Sequence, residues 1–299
     1  MLPFTSSFSV LSLPDTQPTC PVAIGGVTQR KTSFAEQGSN SQDALGAFIG
    51  MDFIIGVVSD GCGSGHLETE RWGACSSNEV GARLLTQGVL TVCKRMLTEK
   101  HWFSRGEVDL NDAFVSRLSN ALIKTLKGTV LKFCGDDESL REHFIFNNLM
   151  ATVLGVIVTS DSCLVFGCGD GYFGINGEIV SLQSESGNYL ANALLPVLCP
   201  RKFGSKKLEA KLLALRKPNV ESLQGVLLAT DGFIPIHTRD DRFFTDLLSA
   251  TPAEGQVELG YDRLIREVRQ RLANGTAKDT EFSDDATMIA VRRIRAKQT

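Results

Sequence analysis

Apolar residues in this chain come in short dense runs, and the spacing inside each run separates strand from helix. Phe53 to Ser59 is almost continuously apolar and rich in β-branched residues, which predicts a strand covered on both faces. Val22 to Val27 and Ala44 to Ile49 predict two more strands. From Leu67 to Leu97 the period changes. Val80, Leu84, Leu85, Val89, Val92 and Met96 recur at helical spacing, with Ser76-Ser77-Asn78-Glu79 as an N-cap region and a break near Ser76. Asp109 to Cys134 predicts a second long helix, with Leu110, Phe114, Leu118, Leu122, Leu126 and Val130 on one stripe and Asp109 as its cap.

Four short strand-like runs follow: Ala151 to Thr159, Cys163 to Gly167, Tyr172 to Ile175 and Glu178 to Leu182. Asn176-Gly177 between the last two is a strong hairpin signal, so the segment reads as an antiparallel meander rather than crossover units. Leu208 to Arg216 fits helix or strand, Val226 to Thr230 predicts a strand, Arg242 to Ser249 and Val257 to Ala273 predict helices, and Ala286 to Ile294 predicts the last strand. This order suggests sheets packed together with helices outside. Residues 1–20, mixing Ser, Thr and Pro, read as a flexible N-terminal extension, and residues 21–299 as a single domain.

Composition narrows the classes. A chain of 299 residues that is 42% hydrophobic and 22% charged can bury one large core. The net charge of -3 provides no broad basic field, which argues against nucleic acid or a membrane surface as partner. Eight cysteines are scattered singly with no C-x-x-C pair, as expected of reduced thiols in the cytoplasm. No basic leader precedes a long apolar core, and no stretch approaches the roughly 18 apolar residues of a membrane span.

The candidate chemistry lies where the apolar runs end. Val57-Val58-Ser59-Asp60-Gly61, Leu228-Ala229-Thr230-Asp231-Gly232 and Gly167-Cys168-Gly169-Asp170-Gly171 each carry an Asp-Gly after a strand-like run. Gln42-Asp43-Ala44 and Ser283-Asp284-Asp285-Ala286-Thr287 place acids ahead of strands. A carboxylate at the rim of a sheet has its pKa raised by desolvation unless a cation holds it ionised, so several rims together suggest a metal cluster. Carboxylates suit Mg²⁺ or Mn²⁺, and His66, His101, His143 and His237 show no zinc spacing. A glycine after Asp60 lets its carbonyl turn towards the same ion, where a Cβ would hinder it. Two ions roughly 3.5–4 Å apart can activate water and neutralise a phosphate, which makes phosphomonoester hydrolysis a natural candidate.

The bland readings are specific. A lone Asp-Gly after a strand is most often a local turn, and three after long apolar runs weigh towards a site. A nucleotide loop at Gly61, Gly63 and Gly65 fails because residue 66 is His. An EF-hand starting at Asp60 fails because its twelfth position is Arg71. Cys62 has no His placed to pair with it, so it reads as an adjacent thiol rather than a nucleophile.

Ser39-Asn40-Ser41-Gln42-Asp43-Ala44, Ser59 to Gly65, Gly167 to Gly171, Ala229-Thr230-Asp231-Gly232 and Ser283 to Thr287, in that order, resemble the motifs of the type 2C metal-dependent serine/threonine protein phosphatases, over about residues 21 to 294. The nearest branch resembles the bacterial one with a Gln-Asp-Ala opening motif and a Ser-Asn-Glu-Val-Gly-Ala helix start, here residues 77 to 82. The resemblance implies an α+β fold, a four-layer α/β/β/α sandwich with two central mostly antiparallel sheets. It implies two catalytic Mn²⁺ or Mg²⁺ ions, with a third accessory one, at one end of the sandwich. Asp60 would bridge both catalytic ions, Gly61 would ligate through its carbonyl, and Asp231 and Asp284 would complete one ion. Asp43 would hold metal-bound water or ligate directly, and Asp170 would serve the accessory ion beside Asp231. Metal-bound water would attack phosphorus directly, with no phospho-enzyme.

Three departures from the family pattern stand out. Gln42 replaces the usual Glu before the first Asp, Gly38 stands where an Arg often grips phosphate, and Cys62 stands where some members carry a His acid. Arg30 or Lys31 are nearby substitutes for the Arg. The expected activity is a phosphatase of phosphoserine and phosphothreonine in proteins, cytoplasmic and monomeric, partnered by a serine/threonine kinase. The alternatives are a catalytically weak phosphatase-fold binding module and a phosphatase of a small metabolite. Ser184 to Asn192 reads as a flap over substrate or an ordinary loop. The Lys- and Arg-rich stretch from Asn188 to Gln224 reads as a docking face for an acidic phosphopeptide or a solvated surface.

Overall fold

The computed structural model describes residues 5–8, 22–29, 41–62, 77–99, 103–104, 107–108, 110–182, 188–206, 208, 210–233 and 285–293. Their strands form two antiparallel sheets. One runs β1 (Thr5–Phe8), β2 (Val22–Gln29), β13 (Ala286–Arg293), β12 (Gly225–Ala229), β9 (Gly171–Ile175) and β10 (Glu178–Leu182). The other runs β11 (Leu213–Arg216), β8 (Cys163–Cys168), β7 (Val153–Thr159), β4 (Phe53–Ser59) and β3 (Ala44–Ile49). Phe103–Ser104 (β5) and Glu107–Val108 (β6) form a short hairpin.

The pleat explains why β4 and β7 read as unbroken apolar runs. Phe53, Ile55 and Val57 join one buried cluster with the helices, while Ile54 and Val58 point into a second cluster between the sheets. In β7, Val153 and Ile157 face the helices, and Leu154, Val156 and Val158 face the other sheet. That sheet contributes Ile24, Phe173, Val226, Leu228, Ile289 and Val291. On its opposite face Leu227, Met288 and Ala290 are buried as well. The stretches predicted as helices at 242–249 and 257–273 lie outside the described residues.

The helical layer consists of α1 (Glu79–Thr98), α2 (Asp112–Cys134) and α3 (Glu138–Asn148), followed by the single turns α4 (Leu195–Leu198) and α5 (Pro200–Phe203). The stripe predicted on α2 is its buried face: Phe114, Leu118, Leu122, Leu126 and Val130 are all buried. Its cap is Asn111, whose Oδ1 accepts from Phe114 N at 3.0 Å, and not Asp109. Helix α3 shows no strong apolar stripe, with Ile145 its one buried residue, and its start is marked by Asp137 accepting from Leu140 N. Within the expected N-terminal extension, Thr5–Phe8 pairs with β2 as an edge strand.

Candidate active site

Register alone sends the acidic motifs to one end of the sandwich. Ala44 pairs with Ser59, so the start of β3 and the end of β4 are neighbours, and Asp43 and Asp60 leave them side by side. Ala229 pairs with both Met288 and Tyr172, which brings the end of β12, the start of β13 and the start of β9 together. The chain crosses from one sheet to the other at Asp170, between Gly169 at φ 100° and Gly171 at φ 128°, a left-handed corner that favours glycine on both sides.

Two contacts sew the sheets together at this end. The Thr230 hydroxyl donates to Asp43 Oδ2 at 2.8 Å, and Gln42 N donates to Asp285 Oδ2 at 2.6 Å. Asp60 N donates to Thr152 Oγ1 at 3.1 Å and its carbonyl accepts from Thr152 N at 2.8 Å, which fixes the backbone as it leaves β4. Two of the three Asp-Gly glycines mark especially close approaches. A Cβ on Gly61 would lie 2.6 Å from the carbonyl carbon of Asn78, and one on Gly232 would lie 1.9 Å from the carbonyl oxygen of Asp285. Glycine is therefore demanded by packing at both turns, an additional reason beside the one inferred for Gly61.

Burial dominates the electrostatics. Asp43 is buried, and desolvation pushes its carboxyl up to about 7, with the charge of Asp285 adding and bonds to Asp60, Thr230 and Thr287 opposing. Asp170 is raised by burial. The Cys62 thiol is pushed up by burial and then by Asp60, with Asp170 and Asp231 adding, against a hydrogen bond from Tyr189. The Tyr189 hydroxyl is raised by burial and by Cys62, Asp170 and Asp60. Asp43, Asp60, Asp170, Asp231 and Asp285 thus act on one small region.

Does this end suit a divalent cation? The Asp43–Asp60 hydrogen bond requires a proton on one partner; with both ionised, Asp43 Oδ1 is buried with no donor among the described residues. Such an atom and an all-oxygen donor set fit a hard cation. Among the described residues no three acid, imidazole or thiol side chains are gathered into a ready cage. Asp284, one expected ligand, lies outside the described residues, as do Gly38, Arg30 and Lys31.

The protein phosphatase 2C profile matches residues 30–275, most of the chain. The chain belongs to the protein phosphatase 2C family. Family membership makes it a metal-dependent protein serine/threonine phosphatase. Among solved structures it resembles the serine/threonine phosphatase Stp1 from Staphylococcus aureus at 14% identity and a TM-score of 0.51, over 94% of this chain and 99% of that one. A bacterial serine phosphatase bearing one arginine-to-alanine substitution superposes at 13% identity and a TM-score of 0.53, over 92% of this chain and 99% of that one. Both likenesses are of fold, and they agree with the α+β sandwich. No curated protein matches the chain in sequence.

Several residues of this phosphatase 2C site were not singled out by sequence. Asn78 is the N-cap residue of α1, inside the predicted cap region, but its side chain makes no capping bond. Its Nδ2 donates to the carbonyl of Cys62 and its Oδ1 accepts from Met150 N at 3.2 Å, so it clamps the loop after Asp60. Thr230, Thr287, Thr152 and Asp285 support the acids, and only their position beside the Asp motifs marks them. Tyr189 reaches the Cys62 thiol from a segment anchored by buried Leu190, Ala191 and Leu194. Residues 184–187 of the predicted flap lie outside the described residues. In the basic stretch, Arg201 pairs with Glu138 at 3.5 Å and Lys217 with Asp112 at 3.7 Å, so helix acids engage these two charges.

Proposed function

We propose that the chain removes phosphate from phosphoserine and phosphothreonine in proteins by direct attack of water, with Asp43, Asp60, Asp231 and Asp284 as the carboxylates that hold the site. Gly61 adds its carbonyl, and Asp170 serves an accessory position. The observation that carries this reading is the meeting of Asp43, from one sheet, with Thr230 beside Asp231, from the other, at the rim where Asp60 also emerges. Bound there, two Mn²⁺ or Mg²⁺ ions, with a third accessory one, would neutralise phosphate oxygens and lower the pKa of water.

The chain's own groups favour water over a protein nucleophile. Burial and the neighbouring acids keep the Cys62 thiol protonated, and a thiol is a poor nucleophile. In the overall exchange the water oxygen bonds to phosphorus, and the serine or threonine oxygen leaves and takes up a proton. No helix among the described residues is long and apolar enough to cross a membrane, and the six described cysteines are free thiols. Free thiols are what a reducing compartment leaves, and the reading takes the catalytic unit to be residues 21–299, acting in the cytoplasm as a monomer on substrates that a serine/threonine kinase phosphorylates.

The test is phosphate release from a phosphothreonine peptide with Mn²⁺ and with chelator. Wild type is expected to turn over only with the ion, and Asp60→Asn to lose on the order of 100-fold or more. Equal rates in chelator, or an unaffected Asp60→Asn enzyme, would reject the reading. Partner capture without turnover would leave a binding module, and faster turnover of small phosphomonoesters would point to a metabolite phosphatase.

A further inference from the structure

The hydroxyl of Thr230 stands in the middle of a three-residue relay. Thr230 N donates to the carbonyl of Thr287 at 2.9 Å, continuing the ladder in which Ala229 pairs with Met288. The return bond of that ladder is missing its usual acceptor. Thr287 N donates instead to Thr230 Oγ1 at 2.9 Å. The side chain has taken the place of a backbone carbonyl, so strand β12 can end there while the chain turns into Asp231-Gly232.

That substitution fixes the hydroxyl proton. One lone pair of Oγ1 is engaged by Thr287 N, and the proton has two acceptors in reach: Asp43 Oδ2 at 2.8 Å and the Thr287 carbonyl at 3.4 Å. The Asp43 oxygen is nearer by 0.6 Å and the 3.4 Å contact is long for a hydroxyl donor, so Asp43 Oδ2 takes the proton. Asp43 is then held by Oδ2, while its Oδ1 stays buried without a donor among the described residues. The rest of the support is equally fixed, since Thr287 Oγ1 bonds Thr28 Oγ1 and Gln42 N holds Asp285 Oδ2 across the same seam.

We infer that Thr230 is a positioning residue of this phosphatase: its hydroxyl, locked by the Thr287 amide, pins Asp43 Oδ2 so that Oδ1 is the oxygen offered to a divalent cation. The inference rests on the proposed reading of Asp43 as an ion-holding carboxylate. Side chains that orient a ligand through its second atom typically govern metal affinity by about 10- to 100-fold. Thr230 touches neither the ion nor substrate in this scheme, so it acts through Asp43 alone.

The test compares Thr230→Ser, Thr230→Cys and Thr230→Val in the full chain by calorimetric titration with Mn²⁺, alongside melting temperature and phosphate release. Serine keeps the donor, cysteine keeps the volume with a weak one, and valine keeps the shape without any. Affinity is expected to stay within about threefold for serine and to fall roughly 10- to 100-fold for valine, with cysteine between. Should valine not fold, the serine and cysteine pair carries the same comparison. Affinity that ignores donor strength, such as valine equal to serine at equal melting temperature, would overturn the inference. A crystal structure of Thr230→Val without metal adds a readout independent of the ion: the Asp43 carboxylate should rotate away from its wild-type setting, and an unmoved carboxylate would also overturn it. Wild type that binds Mn²⁺ nowhere would instead sink the functional reading, while the carboxylate rotation would still be measurable.

Discussion

Asp43 combines two demands that conflict without a cation. It is 5% exposed, and burial lifts its carboxyl from the ordinary 3.8 to about 7. A raised folded pKa means that the folded state binds more protons than the unfolded chain between those two values, so stability must fall as pH rises through that window. In chelator, thermal melts from pH 4 to pH 8 should show a loss on the order of a few kcal/mol attributable to this group. Asp43→Asn should remove that part of the slope, because an amide cannot titrate. A variant whose melting temperature declines over the window as steeply as wild type would show that another group carries the effect. Thr230, by contrast, offers a neutral hydroxyl, and its bond opposes the lift without cancelling it.

Strands and turns are where sequence pattern and structure agree best. The Asn176-Gly177 hairpin forms as its residues demand, with Asn176 at φ 53° and Gly177 at φ 93°. Asn176 also ties the turn to the approach of β12: Oδ1 accepts from Gln224 N at 2.7 Å and Nδ2 donates to Ser222 O at 3.0 Å. Asn176→Ala loses both bonds and the residue's tolerance of left-handed backbone, which should cost about 1–3 kcal/mol in denaturant melts. The turn closes the end of β9 opposite Asp170, so Mn²⁺ affinity should stay at the wild-type value; a change in affinity would contradict the separation of the two ends. Strand β4 was legible to the residue because burial on both faces leaves an almost uninterrupted apolar run, and half-buried β3 because all six of its residues are apolar or glycine. Helix α3 was not, because its half-exposed surface carries no strong stripe and Asp137 alone marks its start. Among the site residues, Asp-Gly after an apolar run was readable as local chemistry. The N-cap falls at Asn78, inside the predicted cap region, but the other role of its side chain was not legible, because only the fold brings Cys62 and Met150 to it, and the bond from Gln42 to Asp285 spans a sequence separation that no local pattern records.

At the scale of the whole molecule, the two sheets are glued along their length by apolar side chains and at one end by acids. Those acids come from both sheets, Asp43 and Asp60 from one and Asp231 and Asp285 from the other, so a cation there would link the sheets as well as serve chemistry. A ligand that binds only the folded chain stabilises it by about 2.7 kcal/mol at a hundredfold excess over its dissociation constant, roughly 4 °C for a chain of this size. Mn²⁺ should therefore raise the melting temperature, and chelator should reverse the rise. The increment should be larger at pH 8 than at pH 6, because below about 7 a proton on Asp43 competes with the ion. The core supplies the control. Phe166 is fully buried among the side chains between β7, β8 and the helices, so Phe166→Ala should lower the baseline by about 3–5 kcal/mol. In that variant the Mn²⁺ increment should persist, while Asp231→Asn should keep the baseline and lose most of the increment. An ion effect that followed core damage instead of the acids would mean that the cation binds elsewhere, and that the rim is acidic for a reason unconnected with metal.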